Sequence, residues 1–128
     1  MTTITGSFGS YSVDNLAAAK AFYSDKLGLE VTETPEGLGL NLPNGGKVFM
    51  YPKEDHAPAT FTVLNFEVSS VESAVDSLIG AGVTFEHYDE GSVATDEKGI
   101  LWGKKADMGP NIAWFKDPAG NILSVVEV

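Results

Sequence analysis

The feature that most constrains the fold is an internal echo. Val13-Asp14-Asn15-Leu16 recurs as Val68-Ser69-Ser70-Val71, and Leu27-Gly28-Leu29 recurs as Ala81-Gly82-Val83, with one residue lost in between. The first phrase of each pair joins the end of an alternating, strand-like run to the cap of a helical one. The second ends the helix on a glycine stop. A chain that writes the same β-to-α junction twice reads as two copies of one supersecondary unit, each burying its apolar face in the same manner.

The first copy reads β-α-β-β-β. Residues 5–13 alternate small polar with larger side chains, as a half-buried strand does. Asp14 or Asn15 caps a helix carrying Leu16, Ala19, Phe22, Tyr23 and Leu27, where Tyr23 reads as core packing in preference to a catalytic phenol. Strands are predicted over 29–34, 37–42 and 47–51, with Pro43-Asn44-Gly45-Gly46 as a turn. The second copy starts with a strand over 60–68 and a helix carrying Val71, Ala74, Val75 and Leu78 behind Ser69 or Ser70. A strand over 83–88, a polar loop over 89–99 and a weaker run over 100–103, either a short strand or part of that loop, follow. The closing hairpin sets the turn Asp117-Pro118-Ala119-Gly120-Asn121 between Asn111–Phe115 and Ile122–Val126; Pro118 fixes φ, and Gly120 and Asn121 accept positive φ. The expectation is one α+β domain over 1–128. Its two β-α-β-β-β modules, about 5–51 and 60–128 with a linker at 52–59, stand in a pseudo-twofold arrangement forming a cleft.

Composition narrows the partners. The chain's 128 residues, 43% hydrophobic and 20% charged, suit a globular domain with a modest core. No apolar run approaches the ~20 residues of a membrane helix, and the N-terminus lacks the basic and apolar regions of a signal peptide. A cytoplasmic protein without a membrane partner is expected. With no cysteine, disulfides, thiolate nucleophiles and Cys-ligated metals are excluded. A net charge of −10, from 18 acidic against 8 basic residues, repels phosphate backbones and argues against nucleic acid.

Three phrases carry a resemblance: "VDNLAAAKAFYSDKLGLEV" at 13–31, "FEVSSVESAVDSLIGAGVTF" at 66–85 and "AWFKDPAGNILSVVEV" at 113–128. In order and at this spacing they resemble the vicinal oxygen chelate superfamily, which includes glyoxalase I, bleomycin-resistance proteins and extradiol dioxygenases. The resemblance implies a divalent metal between the modules, held by His, Gln or Glu from the first and last strand of each. Those positions fall on Phe8, Val63, Ser124 and either Phe49 or Met50. Phe and Val have no donor, a neutral Ser hydroxyl is weak, and Met sulfur suits soft ions. No metal and no other cofactor is therefore expected. The implied function is small-molecule binding in the manner of the metal-free bleomycin-resistance proteins. The alternative is a lyase, isomerase or dioxygenase of the same superfamily, working through a metal or an acid–base residue. A third reading is a protein-interaction module whose cleft is filled by its own tryptophans.

Strand parity supplies the cleft. Leu64, Phe66 and Val68 should pack under the helix, which leaves Val63, Asn65 and Glu67 on the other face. In the last strand Leu123 and Val125 should lie under the helix, with Ile122, Ser124 and Val126 opposite. The first strand offers Phe8, Ser10 and Ser12, and Phe49, Met50, Trp102 and Trp114 complete the ligand-binding set. The mixture is apolar with a few polar groups, as small-molecule sites are. Glu67 is the one charge on that face, either a catalytic base or cation partner or else a solvated strand-end carboxylate. His87 with Glu86 and Asp89 reads as solvated surface in preference to a metal cluster. Asp89, Glu90, Asp96 and Glu97 read as a solvated loop, with a lid as the alternative. A sheet of about four strands spans roughly 19 Å and one helix covers only ~10–12 Å of it. The surplus apolar surface predicts a twofold homodimer.

Overall fold

A computed structural model describes residues 2–91 and 93–128. The chain divides into two compact units, Met1–Pro58 and Ala59–Val128.

The first unit contains β1 (Gly9–Val13), α1 (Leu16–Ala21) with a π-helical turn at Phe22–Lys26, β2 (Glu30–Thr34), β3 (Gly37–Asn41) and β4 (Lys47–Pro52). Its four-stranded sheet runs β1-β4-β3-β2. β1 is parallel to β4, and the other pairs are antiparallel. Asn15 caps α1, its Oδ1 accepting the Ala18 N–H at 2.9 Å. Gly28 ends the helical segment at φ +69°, a conformation that favours glycine. The helical segment lays Ala19, Phe22 and Tyr23 on the face that carries Val13, Leu38, Leu40, Val48 and Met50, all buried. Tyr23 is a core residue whose hydroxyl is hydrogen-bonded to that of Tyr11 at 2.8 Å.

The second unit repeats the plan with one change. It contains β5 (Thr62–Val68), α2 (Val71–Gly80), β6 (Asp89–Glu90), β7 (Val93–Ala94), β8 (Ile100–Trp102), β9 (Asn111–Lys116) and β10 (Ile122–Glu127). Its main sheet runs β5-β10-β9-β8, the order of the first unit. Ser70 caps α2, its Oγ accepting the Ser73 N–H at 3.2 Å. The helix rests on β9 and β10, burying Val71 and Val75 with Ala113, Phe115, Leu123 and Val125.

The change is at the sheet edge. Residues 83–88, predicted as a strand, contribute one bridge, Phe85 opposite Phe115, plus the Glu86 N–H donated to the Trp114 carbonyl at 2.8 Å. The edge then resumes with Ile100 opposite Ala113, so the described residues after Glu86 and before Ile100 are looped out of the ladder. The reason lies in what an uninterrupted strand would bury. Its next inward residue after Phe85 would be His87. Ile100 takes that slot instead and is fully buried, which places an aliphatic side chain where an imidazole would have been desolvated. The weak run at 100–103 is thus the edge strand itself. Within the looped-out segment the short hairpin β6–β7 forms where only loop was predicted.

The Asp117–Asn121 turn holds the last hairpin. Asp117 Oδ1 accepts the N–H groups of Ala119 and Asn121 at 3.0 and 2.9 Å, and Oδ2 accepts from Asn121 Nδ2 at 3.1 Å. Both side chains are buried, and the backbone of the turn as well as the Asn121 amide supplies the Asp117 carboxylate with donors, while Gly120 stands at φ +85°.

Candidate functional site

The looped-out segment builds a cavity on the second unit. One wall comes from the segment: His87, Tyr88, Asp89 and Val93. The other comes from the sheet: Thr60-Phe61-Thr62 leading into β5, Trp114 of β9 and Ile122 of β10. Trp114 lies opposite Ser124 and Thr62 opposite Ile122, so these residues stand on the face turned away from α2. The cavity measures about 620 Å³ and opens to solvent. That volume falls within the range of small-molecule sites, roughly 300–1,000 Å³.

Local contacts fix both walls. The Tyr88 and Trp114 rings meet edge to face, centroids 5.5 Å apart at 80°. The Thr95 Oγ1 accepts the Tyr88 N–H at 2.9 Å, and the Thr95 N–H returns to the Tyr88 carbonyl at 2.8 Å. His87 Nε2 donates to the Glu97 carbonyl at 2.9 Å, which fixes the proton on that nitrogen. Burial raises the Tyr88 hydroxyl pKa, and Glu86 adds to the rise more than Lys116 opposes it. Lys116 and Glu86 form a pair at 3.5 Å beside the cavity.

Asp96 ties the far end of the segment back to the sheet. Its carboxylate accepts the N–H groups of Lys98 and Ile100 and the Nε1–H of Trp102, each at 2.9 Å. Burial alone would raise its pKa. The hydrogen bonds from Ile100, Trp102 and Lys98 outweigh that effect and hold the carboxyl below its usual range. Gly99, at φ +88°, passes so close to the base of the segment that a Cβ would stand 2.8 Å from the Glu86 carbonyl oxygen. The sequence signal for these anchors is the run Asp96-Glu97-Lys98-Gly99 before an apolar strand. It reads equally well as solvated loop.

The structure brings together only part of the sequence-derived set. Trp114 and Ile122 line the cavity. Ser124 is fully buried and its hydroxyl donates to Asn65 Oδ1. Val63 is half-buried on β5, and Glu67 is exposed opposite Val126. Two placements are corrected. Met50 shares the helix-covered face with Val48 and is fully buried, so of the two alternatives Phe49 is the one on the outer face, stacked on Tyr51 at 6.4 Å. Trp102 stands on the same face as Ile100 and is held by Asp96, away from the cavity. In the first unit Ser10 and Ser12 are paired with Phe49 and Tyr51, and Ser12 Oγ lies 2.6 Å from His56 Nδ1. Phe8 precedes β1, because the strand starts at Gly9 and not at Thr5, and is 70% exposed. Sequence reasoning missed Thr60, Phe61, Thr62, Tyr88 and Val93 as wall residues, and gave His87 and Asp89 to solvent.

The resemblance implies a divalent metal, and the side chains at its four positions do not fit one. Phe8, Phe49 and Val63 carry no donor, and Ser124 offers only a neutral, fully buried hydroxyl, a weak ligand for a divalent ion. Among the described residues no three His, Cys, Asp or Glu side chains converge to hold an ion.

Comparison with known proteins places the fold. The family model of the Glyoxalase/Bleomycin resistance protein/Dioxygenase superfamily matches residues 7–125. No curated protein matches the chain. Among solved structures, a lactoylglutathione lyase from Agrobacterium tumefaciens is 19% identical at a TM-score of 0.64, covering 98% of this chain and 96% of that one. A genomically encoded fosfomycin resistance protein from Listeria monocytogenes is 14% identical at 0.69, covering 98% and 95%. An integron cassette protein from the mobile metagenome of the Halifax Harbour sewage outfall is 21% identical at 0.68, covering 98% and 100%. At such identities the likeness is one of fold.

Proposed function

From a chain that belongs to the Glyoxalase/Bleomycin resistance protein/Dioxygenase superfamily, we propose a metal-independent small-molecule-binding protein whose ligand sits in the cavity of the second unit. The observation that carries this reading is the looped-out segment bearing Tyr88, which leaves the sheet edge and stands Tyr88 against Trp114 over about 620 Å³ of open space. The lining joins aromatic area to a few polar groups, the composition that holds and orients a partly aromatic ligand. The donor-poor positions at Phe8, Val63, Phe49 and Ser124 support metal independence. Glu67, exposed and outside the cavity lining, is not assigned a chemical role.

The test uses the tryptophans. Trp102→Phe leaves Trp114 as the sole tryptophan of the chain's two. Titration with small aromatic compounds should then change Trp114 emission saturably, and Tyr88→Ala should weaken that response. Dialysed protein should retain ligand binding and hold no stoichiometric metal. Zinc, nickel, iron or manganese at one ion per chain would overturn metal independence, and saturable binding that leaves Trp114 emission unchanged would move the site elsewhere.

A further inference from the structure

Resting on the cavity as the binding site, we propose that its ligand is an organic cation, an amine or quaternary ammonium group carried on a flat or apolar body. Three aromatic rings from three segments share the space: Phe61 ahead of β5, Tyr88 on the looped-out segment and Trp114 on β9. Tyr88 and Trp114 stand at 80° to each other. Rings in parallel form a slot that selects flat neutral molecules, whereas rings at a right angle form a corner that meets a compact group from two sides. The faces of such rings carry the negative end of the quadrupole and attract cations.

Among the described residues, the one carboxylate in the cavity lining belongs to Asp89, and no ammonium lines it. Asp89 lines the wall and takes part in none of the ion pairs among the described residues. The chain's 8 basic residues are all lysine, and none lines the cavity. The nearest in register, Lys116 opposite Ile122, is held by Glu86. His87 directs its Nε2–H at the Glu97 carbonyl. An anionic ligand would find no guanidinium fork and no unengaged ammonium in the lining, while a cation finds a carboxylate and three aromatic rings. The net charge of −10 adds an attractive long-range field. A bare metal ion is a poor occupant, because one carboxylate in an open cavity of this size supplies too few ligands.

The experiment compares three probes of one shape by calorimetric titration, with Trp114 emission as a site reporter: benzyltrimethylammonium, its neutral mimic with a tert-butyl group in place of the trimethylammonium, and benzylsulfonate. The ammonium should bind about tenfold more tightly than the neutral mimic, and the sulfonate most weakly. Asp89→Asn should lower ammonium affinity about threefold and leave the neutral mimic unchanged. Phe61→Leu, which keeps apolar area and removes a ring, should lower ammonium affinity more than that of the mimic. Phe61 is 67% exposed and Asp89 is exposed, so both variants should melt as wild type does. Equal affinity for ammonium and neutral mimic, or preference for sulfonate, overturns the cation assignment. In either case binding that still moves Trp114 emission leaves the cavity as the binding site. Silence of all three probes overturns both.

Discussion

Removing the Asp96 carboxylate should loosen the segment that builds the cavity. In Asp96→Ala the Lys98 N–H, the Ile100 N–H and the Trp102 Nε1–H all lose their acceptor. Lys98 sits in a half-exposed turn where water can substitute, so its loss is small. Ile100 is fully buried, and its amide is left without a partner in an apolar setting. Counting the Ile100 and Trp102 bonds at ~1–1.5 kcal/mol each and the Lys98 bond at a few tenths gives a loss of about 3 kcal/mol. For a chain of this size that corresponds to a fall in Tm of about 10 °C, read by circular dichroism. Trp102 emission should shift to longer wavelength in the variant. The effect has a pH signature. Because the folded carboxyl titrates below its ordinary value of 3.8, the stabilisation is fully present above that value and fades as pH falls through the lower, folded pKa. The gap between wild type and Asp96→Asn should therefore narrow in acid. A fall in Tm within a degree or two of zero, or a gap that widens in acid, would refute the assignment of Asp96 as the anchor.

Other perturbations test neighbouring claims. Gly99→Ala forces a non-glycine residue to φ +88° and a Cβ against the Glu86 carbonyl, so a loss of about 2–4 kcal/mol is expected in chemical denaturation. Asp117→Ala strips the acceptor from three donors in a buried turn and should cost about 3 kcal/mol, with Asp117→Asn milder because one oxygen remains. Ser70→Ala should cost about 1 kcal/mol through the lost cap of α2, seen as faster amide exchange at Ser73. Light scattering at micromolar concentration should return the mass of two chains. Ile4 and Phe8, 82% and 70% exposed, are apolar surface available for such a contact, and a single-chain mass would count against the dimer.

How much of this was legible in the sequence depends on whether the signal was local. The junctions Asp14-Asn15-Leu16 and Ser69-Ser70-Val71 announce helix caps because cap chemistry is local, and Asn15 and Ser70 form the caps observed. The Asp117–Asn121 turn is legible for the same reason. The edge of the second sheet was not. Val83-Thr84-Phe85 has strand composition, but which residue pairs with Ala113 is decided by burial across the sheet, and His87 loses that place to Ile100. Every wall residue on the looped-out segment follows from that exchange, so the cavity was invisible to a reading that made 83–88 one strand. Met50 and Phe49 differ by one position, and one position reverses the face. Trp102 could be placed only by knowing that Asp96, six residues away, reaches its indole.

Whether the second unit's cavity is the ligand site can be read from a titration of ¹⁵N-labelled protein with benzyltrimethylammonium, followed by amide chemical shifts. Saturable shifts should centre on Phe61, Thr62, Tyr88, Asp89, Trp114 and Ile122, with the amides of the first unit unmoved. Saturable shifts centred on Ser10, Ser12 and Phe49 of the first unit, with Tyr88 and Trp114 silent, would contradict this placement of the site.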